Sequence, residues 1–165
     1  MADRKLRTLL PQTLDWIDRA PMSFEGKATT SASPGAVFAV LADHPRWPEW
    51  FPSVRRAESI GTATEGVGSR RRVVVPGAVF EEEFIAWEPG LRWSFTGLAS
   101  RPRITRSLVE DCRIGSEGGR TTISYTMYFD PPPALRFPTR LAGPMLRRNL
   151  RKAMEGLARR AEGRA

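Results

Sequence analysis

Four polar side chains sit where strand alternation would bring them among apolar neighbours: Arg106, Glu110, Glu82 and Tyr125. In a strand over 103–114, Arg106 and Glu110 share a face with Ile104, Leu108, Cys112 and Ile114. Tyr125 falls with Ile123, Met127 and Phe129, opposite Thr122, Ser124 and Thr126. Glu82 goes with Phe80 and Phe84, although Ile85 and Trp87 blur the parity of that strand. A guanidinium on an apolar face is costly unless it meets a carboxylate or an anionic ligand head. Arg106 is therefore a candidate to hold a carboxylate or enolate oxygen, with Tyr125 donating a hydrogen bond. An enolate stabilised in this way is the intermediate of an aldol closure. The competing reading makes Arg106 and Glu110 a structural or solvated pair near the strand ends. On these grounds Arg106 and Tyr125 are the catalytic candidates.

The other reactive residue types point to structure. His44 is the one side chain with an ordinary pKa near neutrality, but between Asp43 and Pro45 it reads as surface helix termination rather than as a base. Cys112 reads as a small buried apolar residue. Glu81-Glu82-Glu83 faces Arg70-Arg71-Arg72 across a turn, which reads as cross-strand charge pairing. Three adjacent carboxylates on one strand point to alternating faces, so the run is not read as a catalytic pair.

Composition narrows the classes. The chain has 165 residues, of which 41% are hydrophobic, with five Trp and eight Phe. That is one domain's worth of core and too apolar for a disordered chain. No run is long enough to be a transmembrane helix, and the N-terminus lacks the pattern of a secretory signal, so a cytoplasmic location is expected. One Cys and one His exclude an internal disulfide and a multi-histidine or Cys-based metal site, and no cofactor is expected. Residues 139–165 carry eight basic side chains against Glu155 and Glu162, a net +6 of the chain's +8. Such localised charge does not favour nucleic-acid binding. It leaves transient contact of a basic amphipathic helix with an anionic membrane as a candidate role.

The elements that must position these residues follow from punctuation. Residues 1–21 read as an N-terminal extension, and the domain as 22–165. MSFEGKATT reads as the first strand, and Ser33-Pro34 as the start of a short helix. DHPRWPEWFP allows only a second very short helix. Strands then run over 54–60, 69–75, 78–87, 91–98, 103–114 and 120–130, separated by turns short enough to favour antiparallel hairpins. After Pro138 a helix carries Leu141, Met145, Leu146, Leu150, Ala153, Met154, Leu157 and Ala161 on one apolar stripe. The order predicts an α+β architecture in which an antiparallel sheet covers its apolar face with the terminal helix.

The stretch SASPGAVFAVLADHPRWPEWFPSVRRAES resembles the start of START-like, Bet v 1-like (SRPBCC) proteins of the bacterial polyketide cyclase/dehydrase and lipid-transport type. Its marks are Asp43, then Trp47-Pro48 and Trp50-Phe51-Pro52, with further echoes in Gly66-Val67-Gly68, Ala86-Trp87-Glu88-Pro89 and Leu91-Arg92-Trp93. The resemblance spans about Met22 to Arg160. It implies a helix-grip fold, in which a curved antiparallel sheet of about seven strands wraps a long C-terminal helix, with two short helices after the first strand. It also implies a cavity between sheet and helix that takes a hydrophobic small molecule such as a lipid, quinone or polyketide-like compound. Phe84, Trp93, Phe95, Leu108, Tyr125, Met127, Leu141, Met145 and Leu146 would line it, Glu82 and Glu110 would lie inside, and Arg106 would anchor the ligand. Trp50 and Phe51, with Trp47, are read either as gating the mouth or as core. The alternative activity is that of a cyclase/aromatase closing and dehydrating a poly-β-keto chain.

Overall fold

A computed structural model describes residues 5–163; Arg164, counted above with the basic segment, lies outside the described residues, as do residues 1–4. The strands are β1 (Arg7–Thr8), β2 (Met22–Thr30), β3 (Arg56–Ile60), β4 (Arg70–Val75), β5 (Ala78–Glu88), β6 (Arg92–Arg101), β7 (Leu108–Glu117) and β8 (Arg120–Phe129). The helices are α1 (Pro34–Ala42), α2 (Pro133–Leu141) and α3 (Gly143–Glu162), with 3₁₀ helices at Leu14–Arg19 and His44–Glu49. The sheet runs β2-β8-β7-β6-β5-β4-β3, entirely antiparallel, and β1 adds to β6. The α+β helix-grip architecture expected from the sequence is present, including the two short helices after the first full strand.

Local chemistry explains the elements. The Ser33 hydroxyl accepts from the Ala36 amide at 3.2 Å, and Pro34 occupies the first turn of α1. The β4–β5 hairpin closes at Pro76-Gly77, where Gly77 takes φ +78°, open to glycine at little cost. Register shifts in β5 against β6, at Glu81/Glu82 and Phe84/Ala86, bend the strand. Residues 7–10 of the expected extension join the sheet: the Leu9 amide donates to Leu98 O and the Leu10 amide to Arg106 O, each at 2.8 Å. Leu9 is buried in the space that Gly97 leaves by lacking a side chain.

Two boundaries and the burial of one residue differ from expectation. β7 begins at Leu108 rather than Arg103, because β1 takes the edge of β6 that residues 103–107 would need. The C-terminal helical region starts at Pro133, earlier than expected, and divides at Ala142. His44 is 1% exposed rather than on the surface, since the 3₁₀ helix turns it inward onto Phe84, with ring centroids 5.3 Å apart.

α3 crosses β2 at Gly26, where a Cβ would lie 2.5 Å from the Leu150 carbonyl carbon. At its other end Glu162 accepts from the Thr30 hydroxyl at 2.7 Å, and Arg160 pairs with Glu49 at 2.7 Å. Leu150, Ala153, Met154, Leu157 and Ala161 are buried in the core. So held, the helix covers the sheet but leaves a hollow towards β4, β5 and the start of β7.

Candidate functional site

That hollow is a cavity of about 410 Å³ with mostly apolar walls. Trp47, Phe51 and Val54 close one side, Val73, Val75, Phe80, Leu108, Met127 and Phe129 supply the sheet, and Met145, Leu146, Asn149 and Leu150 supply the helix. Its volume lies within the range of small-molecule sites, about 300–1,000 Å³. Arg71, Glu82 and Glu110 also border it, and all three are buried.

Strand register brings these polar groups together. β4 and β5 pair Arg70 with Glu83, Arg71 with Glu82 and Arg72 with Glu81. The outer two pairs, at 2.7 and 2.6 Å, are part-exposed on the far face. Alternation turns the middle pair inward, where Arg71 Nε donates to Glu82 at 2.7 Å with both side chains almost wholly buried. The Arg71 guanidinium lies over aromatic rings: its Cζ is 4.1 Å from the Trp47 centroid, 4.5 Å from Phe95, 4.6 Å from Trp93 and 5.5 Å from Phe84. Ring faces attract a cation electrostatically, and this packing holds the guanidinium in place. Among the described residues Arg71 Nη1 has no hydrogen-bond partner.

On β7, Glu110 accepts a hydrogen bond from the Tyr125 hydroxyl. Burial pushes the Glu110 carboxyl up to about 8, the neighbouring Glu82 adding to the shift and Tyr125 and Arg71 opposing it. Burial raises Glu82 as well, with Arg71 opposing through charge and hydrogen bond. Burial and the Glu110 carboxylate drive Tyr125 well above its ordinary value, so it remains a phenol. At neutral pH the cluster thus holds the Arg71 guanidinium hydrogen-bonded to Glu82, a neutral carboxylic acid in Glu110 and a phenol in Tyr125. It can bind an oxygen-bearing head group through the spare Arg71 donor, and Glu110 can give or accept a proton near pH 8.

The structure sorts the expected site residues. Phe51, Glu82, Leu108, Glu110, Met127, Met145 and Leu146 line the cavity, and Tyr125 stands behind Glu110. Phe84, Trp93 and Phe95 do not line it; they form the aromatic bed under Arg71. Trp50 turns away, its indole 4.7 Å from Trp47 and its carbonyl against Gly156 of α3. Leu141 is 73% exposed, because it belongs to α2, which buries no residue.

Arg106 is not the anchor. It lies before β7 begins, beyond the reach of strand alternation, and its part-exposed side chain pairs with Asp130 at 2.8 Å. The arginine that borders the cavity is Arg71, which the sequence places among structural charge pairs. The missed signal was register: a two-residue turn at Pro76-Gly77 sets Arg71 opposite Glu82, so an inward Glu82 requires an inward Arg71. His44 also belongs to the aromatic bed. Burial, followed by the charge of Arg71, lowers it to about 3, so it is neutral and unsuited to serve as a base here. Cys112 is wholly buried, and burial raises its thiol far above the thiolate range.

An antiparallel sheet closed over a C-terminal helix, with an apolar cavity and a buried polar cluster in its wall, defines a helix-grip cavity protein. The chain belongs to the polyketide cyclase/dehydrase and lipid transport family, whose model matches residues 21–162. It is 28% identical over 152 residues to an uncharacterized protein of Mycobacterium tuberculosis, covering 92% of this chain and 91% of the relative. Among solved structures, an aromatase/cyclase from a Streptomyces species superposes with a TM-score of 0.68 at 21% identity, covering 87% of this chain and 94% of the other. A START superfamily protein from Mycobacterium smegmatis gives a TM-score of 0.63 at 16% identity, with coverages of 86% and 95%. At these identities the structures attest the fold, and family membership supports small-molecule binding or polyketide cyclisation in general.

Proposed function

We propose that the protein binds a hydrophobic small molecule, a lipid, quinone or polyketide-like compound, in the cavity between the sheet and α3. The apolar body contacts Val73, Phe80, Leu108, Met127 and Leu146, and an oxygen-bearing head group meets Arg71. The observation that supports this most is the spare Nη1 donor of a wholly buried arginine bordering an apolar cavity. Burial of apolar surface supplies most of the affinity, and the single charged contact fixes orientation.

A fluorescence titration with 1-anilinonaphthalene-8-sulfonate, an aromatic body bearing one anion, tests this reading. The wild type binds one equivalent with enhanced emission. Leu146→Trp, which fills the cavity from a half-buried helix position, loses at least roughly tenfold in affinity. No saturable binding, or unchanged binding by Leu146→Trp, overturns the reading.

The neutral Glu110 beside Arg71 supports a second reading, a cyclase acting on a poly-β-keto chain. Arg71 would hold the oxygen of an enol unit while its carbon attacks a carbonyl. Glu110 would give its proton to the new alkoxide and take back the enol proton, and the new hydroxyl would then leave with a hydrogen of the adjacent carbon as water. Conversion of a poly-β-ketone to an aromatic ring with release of water distinguishes this reading from passive binding.

A further inference from the structure

Phe137, Leu141 and Met145 are 75%, 73% and 58% exposed. They are spaced four residues apart across the α2–α3 junction. Backbone hydrogen bonds from Ala142 N to Pro138 O and from Leu146 N to Ala142 O, both 3.0 Å, carry the helical repeat through it. The three side chains therefore form one continuous apolar stripe. α2 contributes no buried residue, so no other part of the described chain covers that stripe. The stripe ends at the cavity, which Met145 lines together with the half-exposed Ile104.

Charge completes the pattern. Residues 133–154 carry Arg136, Arg140, Arg147, Arg148, Arg151 and Lys152 and no acidic residue. Arg148 and Lys152 follow Met145 by three and seven positions, so they continue the exposed stripe as cations. An apolar ridge at a cavity mouth that passes into cations matches the interface of an anionic bilayer, where apolar side chains enter the headgroup boundary and cations meet lipid phosphates.

We propose that α2 and the first turns of α3 dock on an anionic lipid surface, with Phe137 and Leu141 inserted and the cavity mouth facing the bilayer. This goes beyond the ligand-binding reading and stands whether or not the cavity is filled. The test is flotation of the full chain with vesicles of phosphatidylcholine alone and with added phosphatidylglycerol, at low and high salt. The wild type floats with the anionic vesicles, more weakly at high salt. The double variant Phe137→Ser, Leu141→Ser binds them at least roughly tenfold less, and Arg148→Glu with Lys152→Glu loses the preference for anionic lipid.

The serine variant alters only exposed positions outside the cavity, so its thermal melt and its binding of 1-anilinonaphthalene-8-sulfonate stay those of the wild type. Those readouts separate failure of docking from failure of the cavity reading. Absence of binding to anionic vesicles, or equal binding by the serine variant, overturns the proposal. So does a wild-type dimer that the serine variant converts to monomer without any vesicle binding, since the stripe would then be a contact between two copies of the chain.

Discussion

Glu110 and His44 are two buried ionisable side chains whose charge the fold suppresses, and they shift stability in opposite directions with pH. Glu110 has its folded value raised to about 8 by burial and by Glu82. Between the ordinary carboxylate range and pH 8 the native state therefore holds a proton that the unfolded chain has released, and stability falls as pH rises. His44, lowered to about 3 by burial and Arg71, behaves conversely. The unfolded chain protonates first, so stability falls as pH drops from about 6.5 towards 3. Asp111 adds to that acid limb, because hydrogen bonds from Arg92, Ser94 and Arg113 outweigh the cost of its burial and hold its carboxyl below the usual range. Between pH 6.5 and 8 only the Glu110 effect remains of these three. Urea unfolding of the wild type in that window should lose about 1.4 kcal/mol per pH unit at the steepest. Glu110→Gln keeps an acceptor for Tyr125 and removes that proton, so its profile is shallower there, any remaining slope belonging to Glu82, which burial also raises. An equally steep profile in Glu110→Gln would assign the slope to another group.

At the scale of elements, the cavity exists because α3 lies along β2, with its tightest approach at Gly26, and stands away from β4 and β5. Gly26 sets that point, since any side chain on β2 there would meet the backbone of Leu150. Gly26→Ala should therefore lose about 1–3 kcal/mol by overpacking in chemical denaturation. Gly35→Ala, in the first turn of α1 where a Cβ meets nothing within 4 Å, should gain about 0.5–1 kcal/mol from helix propensity and a less flexible unfolded chain. Equal effects at the two sites would mean that α3 does not rest on Gly26. Local signals in the sequence sufficed for β2, read over Met22–Thr30 as observed, and for the hairpins that follow. They failed where long-range pairing decides: residues 103–107 have strand-like alternation, but residues 7–10 occupy the edge they would need. The misplacement of Arg106 follows from that displacement. Leu141 and Met145 fit the apolar spacing of the terminal helix, yet the helix leaves the sheet at its N-terminal end, which no periodicity reveals.

The whole molecule couples the cavity to a single proton. Below pH 8 Glu110 is neutral, and Glu82 is the acidic side chain hydrogen-bonded to Arg71. Above it Glu110 ionises beside the same cavity, and an anion held at Arg71 then sits against excess negative charge in a site of low dielectric. Reciprocity requires that binding such an anion raise Glu110 further, so complex formation should take up protons near pH 8. Tyr125 does not confuse the window, because its phenol is held well above its ordinary range. The affinity for 1-anilinonaphthalene-8-sulfonate should therefore fall as pH rises from 7 to 9, and Glu110→Gln should bind it with little dependence on pH across the same interval. Arg71→Met should weaken binding at every pH, because it removes the donor. An uncharged apolar probe of similar size should show no such fall, since neither protonation state repels it. A flat profile in the wild type would place the anion away from Glu110. A fall that persists in Glu110→Gln would trace the titration to a group outside the cluster, and either result would separate the cavity from the acid–base chemistry that the second reading requires.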